Sequence, residues 1–311
     1  VTTRGTVRRR RSLAALGAAI CSAALAVGLA GPSASGAELV ERSTASAPAA
    51  AAIQPAVTYP TARLLVVGDI ARSGGAQSRT AAVIKARSPW RVMTLGDNAY
   101  NSGSSSEFAK YYAPSYGQFK PITWPLPGNH EYNTSGAAGY RKYFGITGTT
   151  WWWHRAGAWI VIGLDSERVG SSAQLTFLKD VLARNNGKPT IVAWHRPRYS
   201  LGEHGDQRDT DRLWSAIKND RDVRIVLWGH DHDYERMAVP IAGRTSRIQA
   251  FVVGTGGAEL RPMRSKGSRT WSWKRVTRTY GVLELQLRQT SWTWAFRRTD
   301  GTIADSGTSR V

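Results

Sequence analysis

At 311 residues, 41% of them hydrophobic, the chain is long enough for a packed core and too apolar for a disordered segment. Its single cysteine, Cys21, lies in an N-terminal leader, which excludes a disulfide framework, a thiol nucleophile and a thiolate metal site from the mature domain. A formal net charge of +20 points toward anionic substrates or anionic polymers as partners.

Residues 1–37 read as an export signal. Arg8-Arg9-Arg10-Arg11 gives a basic start, Leu13 to Ala30 an Ala/Leu-rich stretch, and Ser35-Gly36-Ala37 a small-residue cleavage site before Glu38. A membrane anchor is the rival reading, since 18 residues approach the shortest bilayer span. The run into small residues favours cleavage. Arg10-Arg11 followed by Ser12-Leu13 resembles a twin-arginine signal, a route that carries folded proteins. Without the leader's five arginines, 37 basic residues face 22 acidic ones, a net +15. Residues 38–61 are rich in Ala, Ser, Thr and Pro with no apolar period, and read as a flexible linker.

A catalytic domain is expected over 62–311. Leu64–Val67 reads as a buried strand, Ala76–Ala86 as a helix and Arg91–Leu95 as a second strand. Further helices are predicted over Glu107–Phe119, Ala173–Ala183 and Asp209–Asn219, and strands over Ala158–Leu164, Thr190–Trp194 and Val223–Trp228. Val282–Leu287 and Trp292–Phe296 alternate in two-residue steps, as antiparallel strands with one buried face do. The expected fold class is α/β, a two-sheet β-sandwich flanked by helices.

The chemistry collects where the strands end. Gly68-Asp69 follows the first strand, and Gly96-Asp97-Asn98-Ala99-Tyr100 the second. Pro125-Leu126-Pro127 leads into Gly128-Asn129-His130-Glu131, Thr190–Trp194 into His195, and Val226-Leu227-Trp228 into Gly229-His230-Asp231-His232. Each apolar run delivers a metal-competent side chain at its carboxyl end, where open α/β sheets bind ligands. Glycine precedes the polar residue in four of the five cases, which lets the backbone turn sharply. Of six histidines, His154 alone falls outside these segments and the loop after His195.

In that order the motifs resemble the calcineurin-like metallophosphoesterases, and within them the purple acid phosphatase branch in its compact exported bacterial form. The stretches Phe251–Gly257 and Gly229–Arg236 agree as well. The resemblance implies a four-layer α/β/β/α fold and two metal ions. Asp97 would bridge them. Asp69, Tyr100 and His232 would complete a site suited to Fe(III), and Asn129, His195 and His230 a site for Fe(II), Zn or Mn. Many relatives carry a histidine two residues after the first aspartate; here Ala71 stands there, so Tyr100 must fill the gap. His130 would contact substrate or nucleophile with Glu131 orienting it, and His204 would donate a proton to the leaving group.

The implied activity is hydrolysis of phosphate monoesters by a metal-bound hydroxide in a secreted phosphatase. A diesterase or nucleotidase on the same metals is the alternative, and a basic protein binding wall polymer or nucleic acid through a relic site is the non-enzymatic one. Phosphate esters are the expected substrate, anionic polymers non-specific partners, and no obligate protein partner is evident. Trp151-Trp152-Trp153 reads as a hairpin packing on the core, and Arg264–Arg278 as an amphipathic surface strand, although its basic and aromatic residues also suit a polyanion. Asp165 sits at a ligand-facing strand end without a motif.

Overall fold

Strands buried on both faces need helices above and below them, and the apolar runs of this sequence meet that need. The structure, a computed structural model, describes residues 60–265 and 267–311. The export signal over 1–37, Cys21 within it, the linker up to residue 59, and Lys266 lie outside the described residues.

The first sheet joins β1 (Ala62–Val67), β2 (Arg91–Leu95) and β3 (Thr123–Leu126) in parallel. It continues antiparallel through β11 (Gly281–Leu287), β12 (Ser291–Arg298) and β13 (Ile303–Arg310), in the order β13-β12-β11-β1-β2-β3. The second sheet contains β4 (Trp152–Ala156), β5 (Trp159–Gly163), β6 (Thr190–Ala193), β7 (Val223–Trp228), β8 (Tyr234–Val239), β9 (Ile248–Val253) and β10 (Ser272–Val276). Its order is β10-β8-β9-β7-β6-β5-β4, with β5, β6, β7 and β9 parallel.

Strand alternation sorts side chains into three cores. Leu64 and Val66 face inward between the sheets with Val161, Ile191, Leu227 and Phe251. Leu65 and Val67 face outward, under helix Gln77–Ala86 and the aromatic residues Phe108, Tyr112 and Tyr116. Helices Ser172–Arg184 and Asp211–Ile217 cover the far face of the second sheet through Leu178, Leu182, Leu213 and Trp214. The result is the expected helix–sheet–sheet–helix sandwich.

The helix expected over Glu107–Phe119 is instead a broken stretch. It passes from Ser105–Glu107 through a wide π turn at Phe108–Tyr112 and Ala113–Tyr116 into a 3₁₀ segment, Gly117–Ile122. Pro114 and Pro121 each lack an N–H for the α ladder, which accounts for the irregular turns. Trp152 and Trp153 open the β4–β5 hairpin, as expected, and β10 is the surface strand anticipated in the basic segment. Among the described residues no helix is long and apolar enough to cross a membrane.

Candidate metal centre

Parallel register sets the strand ends side by side. Val67 pairs with Thr94, Leu95 with Leu126, and Ala193 with Leu227, so the loops that follow emerge together. The two sheets meet there: Gly68 donates its N–H to the Val253 carbonyl at 2.8 Å, and Gly256 returns one to Gly68 at 2.9 Å. Asp69, Asp97 and His230 all adopt left-handed backbone conformations, at φ 59°, 49° and 70°. Such residues cost about 1–3 kcal/mol each and cluster where function demands them. Gly96 is left-handed as well, at φ 93°, whereas Gly68, Gly128 and Gly229 are not, so those three turn less than the sequence suggested. A Cβ on Gly96 would lie 2.6 Å from His195 Nδ1, and one on Gly128 would run into Asp97 Oδ1.

The seven expected ligands converge as two groups sharing one atom. The Tyr100 hydroxyl donates to Asp69 Oδ1 at 2.9 Å and lies 3.2 Å from Asp97 Oδ2 and 3.1 Å from His232 Nε2. His232 Nε2 is also 3.3 Å from Asp69 Oδ1. In the other group, His195 Nε2 stands 3.2 Å from Asp97 Oδ2, 3.2 Å from Asn129 Oδ1 and 3.2 Å from His230 Nδ1. Asp97 Oδ2 belongs to both groups. The second oxygens of the aspartates are committed to backbone: Asp69 Oδ2 accepts from His230 N–H and Asp97 Oδ1 from His130 N–H, each at 2.9 Å. One carboxylate thus ties the first sheet's loop to the second's.

His130 and Glu131 divide their work differently from the expectation. Glu131 does not orient His130. It is fully buried and accepts four backbone N–H groups, from Gly128 (2.7 Å), Asn98 (2.8 Å), Asp97 (2.9 Å) and Ala99 (3.3 Å). Burial and the Asp97 charge push its pKa up to about 8, while these donors favour the carboxylate. The Asn101 carbonyl orients His130, accepting from its Nδ1 at 2.6 Å, and leaves Nε2 3.9 Å from Asp97 Oδ2. Glu107 fixes that loop by accepting from the N–H groups of Asn101, Ser102 and Ser104.

His204 stacks on His230 with ring centroids 4.3 Å apart, so the loop after His195 does reach the site. Asp231 holds it there by accepting the N–H of His204 at 2.7 Å. Arg261 Nη1 donates to His204 Nε2 at 2.7 Å, and burial with the Arg261 charge lowers the imidazole pKa despite Asp231. In this arrangement His204 accepts at Nε2. Its ring proton then sits on Nδ1, and donation from Nε2 would require Arg261 to release that nitrogen. Asp165 stays outside the centre, accepting from Tyr132 and Thr150 hydroxyls, and His154 stacks on Trp124 at 4.6 Å.

No curated protein matches the chain. The family model for calcineurin-like phosphoesterases matches residues 62–234, more than half of it. The chain belongs to this family. Among solved structures, the purple acid phosphatase from yellow lupin (Lupinus luteus) seeds aligns with a TM-score of 0.67 at 20% identity, covering 80% of this chain and 54% of that one. This chain therefore spans about half of the lupin protein. A dimetal phosphatase from Danio rerio gives 0.58 at 13% identity, covering 79% and 98%. The Plasmodium protein described as the anchor in the inner membrane complex gives 0.64 at 14%, covering 81% and 89%. At such identities the likeness is one of fold.

The donor set of this calcineurin-like phosphoesterase fits a metal. His195 Nδ1 donates to the Leu95 carbonyl at 2.7 Å, which leaves the Nε2 lone pair facing Asp97, Asn129 and His230. His232 Nδ1 likewise donates to the Glu259 carbonyl at 2.5 Å and turns Nε2 toward Asp69. Lone pairs and carboxylate charge gathered this way in a buried pocket call for a cation, and Asp97, His195 and His230 are placed to hold one. Burial opposes charge on His195, yet Asp97 outweighs it and draws the pKa up to about 10, so Nε2 takes up either a proton or, in its place, a metal. Burial and the facing carboxylates raise the Tyr100 phenol well above its usual value, so its deprotonation needs a strongly charged partner.

Motif reading missed Arg196. Its guanidinium pairs with Glu167 (Nε–Oε1 2.7 Å, Nη2–Oε2 3.2 Å) and brings Nη1 within 3.4 Å of His230 Nε2. A guanidinium only donates, so His230 Nε2 accepts from Arg196, and the rest of the guanidinium is held at one point at the mouth of the site. That point suits a substrate oxygen. The signal in the sequence was an arginine directly after a ligand histidine, too common to stand out; Glu167 and Arg261 carried none.

Proposed function

We propose that this chain is an exported, binuclear metal-dependent phosphomonoesterase of the purple acid phosphatase-like type. The observation that carries the reading is Asp97 Oδ2, 3.2 Å from both the Tyr100 hydroxyl and His195 Nε2, and so common to two ligand groups. Asp69, Asp97, Tyr100 and His232 would hold Fe(III); Asp97, Asn129, His195 and His230 would hold Fe(II), Zn or Mn. When bound, such a pair supplies Lewis acidity toward water and toward the phosphoryl group.

The chain's own residues then bind and orient the ester. His130, fixed by Asn101, presents Nε2 to the substrate, and Arg196 and Arg261 present guanidinium N–H groups at the rim. Two guanidiniums and an imidazole match a dianionic monoester better than a singly charged diester. The lupin and Danio rerio phosphatases to which the chain is similar in fold favour catalysis, whereas the Plasmodium anchor shows that this sandwich also serves a protein described by a structural role. The complete set of seven ligand residues favours the enzyme.

Asp97→Asn tests the reading. The variant should lose metal and at least 1,000-fold of p-nitrophenyl phosphate turnover, about 4 kcal/mol of barrier. Full activity with two metals still bound would sink it. Concentrated iron-loaded protein should be pink to purple from the Tyr100 phenolate. Export rests on the leader, and secreted protein should begin near Glu38 on N-terminal sequencing.

A further inference from the structure

Far from the metal centre, three arginines gather without an acid among them. Arg221 and Arg224 flank the start of β7, and Arg244 lies in the turn between β8 and β9. With Gly243, Thr245 and Ser246 they line a cavity of about 330 Å³. From Arg224 to His230 the chain runs the length of β7, so at about 3.3 Å per residue the cavity lies roughly 20 Å from the metal ligands.

The cavity is built, not merely charged. Arg244 Nη1 donates to the carbonyls of Lys218 (3.0 Å) and Asp220 (2.9 Å), and Nη2 to Ser246 Oγ (3.2 Å). Those bonds fix the guanidinium while its Nε stays buried and unpartnered, as does Nε of Arg224. Among the described residues no carboxylate forms an ion pair with Arg221, Arg224 or Arg244. Burial, then Arg224, lowers the Arg244 pKa, with Arg221 adding to this and Asp220 offsetting part of it. Like charges gathered without an ion-pair partner repel one another, and an anion seated in the cavity relieves that repulsion.

We propose that Arg221, Arg224 and Arg244, with Thr245 and Ser246, form a second anion site that takes a phosphate group. A carboxylate offers two oxygens and is satisfied by a single guanidinium fork. Three guanidiniums with two hydroxyls ask for a tetrahedral dianion, whose oxygens reach several donors at once. The inference stands apart from the proposed activity, since the cavity shares no residue with the metal centre.

Phosphate binding to the metal-loaded full chain tests it, measured by isothermal titration calorimetry. Wild-type protein should bind two equivalents. Arg224→Gln should lose one, or bind it at least tenfold more weakly, with p-nitrophenyl phosphate turnover unchanged. Arg310→Gln, the same charge change at an exposed residue elsewhere, should keep both. Methylenediphosphonate binding more tightly than orthophosphate at this site would assign it to phosphate within a chain, and the reverse order to free phosphate. Arg221→Gln, at an exposed position, repeats the test should Arg224→Gln unfold. Unchanged stoichiometry and affinity in both variants, or equal weakening by Arg310→Gln, would overturn the proposal.

Discussion

Four backbone N–H groups converging on the Glu131 carboxylate make this residue the support of Asp97, and they set what its loss must do. Glu131→Gln replaces one oxygen by an amide donor that faces two N–H groups. An unsatisfied buried donor costs about 1–3 kcal/mol, so the variant should melt several degrees lower and bind less metal. Wild-type melting with full metal content would refute that role. Arg196 acts on substrate instead. Arg196→Met should raise KM for a dianionic monoester about 10- to 100-fold, the loss of one charge-assisted contact, with a smaller fall in kcat. Glu167→Gln, which loosens the guanidinium without removing it, should give an intermediate KM, and unchanged KM in both variants would reject the contact. Asp69, Asp97, Asn129 and the candidate ligand histidines were legible in the sequence because each lies just past the end of a strand. Arg196, Glu167 and Arg261 were not, because their partners come from distant segments and their types are common on any surface.

Most strands were legible for the same local reason, through apolar runs or two-step alternation, but β8, β9 and β13 were not predicted. The helix over 107–119 was misread because proline divides its hydrogen bonding while leaving its apolar spacing intact. Glu284 on β11 shows what alternation alone hides. It reads as the polar face of a strand, yet its side chain is 2% exposed and lies between arginines of three segments. Arg63 Nε is 3.2 Å from Oε1, and Arg87 and Arg297 reach Oε2 at 3.2 Å and 2.5 Å. Burial raises the carboxyl pKa, but Arg297 and Arg87 outweigh it and hold the group below its usual range. A folded pKa below the unfolded one means the group's stabilisation is complete above the unfolded value. It is lost as pH falls through the folded one. Glu284→Gln should therefore be less stable than wild type by about 2 kcal/mol at neutral pH. That gap should close on acidification below the ordinary carboxylate range, as urea denaturation at a series of pH values would measure. A gap independent of pH would mean that packing, not charge, is lost.

On the scale of the whole domain, the proposed centre would draw its ligands from both sheets: Asp69, Asp97, Tyr100 and Asn129 follow strands of the first, and His195, His230 and His232 follow strands of the second. Metal bound there cross-links two layers that otherwise meet through side-chain packing and a few backbone bonds such as Gly68 to Val253. A ligand that binds only the folded state stabilises it by about 2.7 kcal/mol at 100 times its Kd. For a domain of this size that shifts Tm by roughly 5–10 °C. Chelation should lower the melting temperature by that amount, and restoring metal should recover it. Asp97→Asn, which removes the atom common to both groups, should abolish most of the increment, whereas Arg196→Met should retain it. The contrast separates cross-linking from substrate contact, since both variants lose activity but only one loses the metal-dependent rise in Tm. An increment that survives Asp97→Asn would place the stabilising metal somewhere other than between the two sheets.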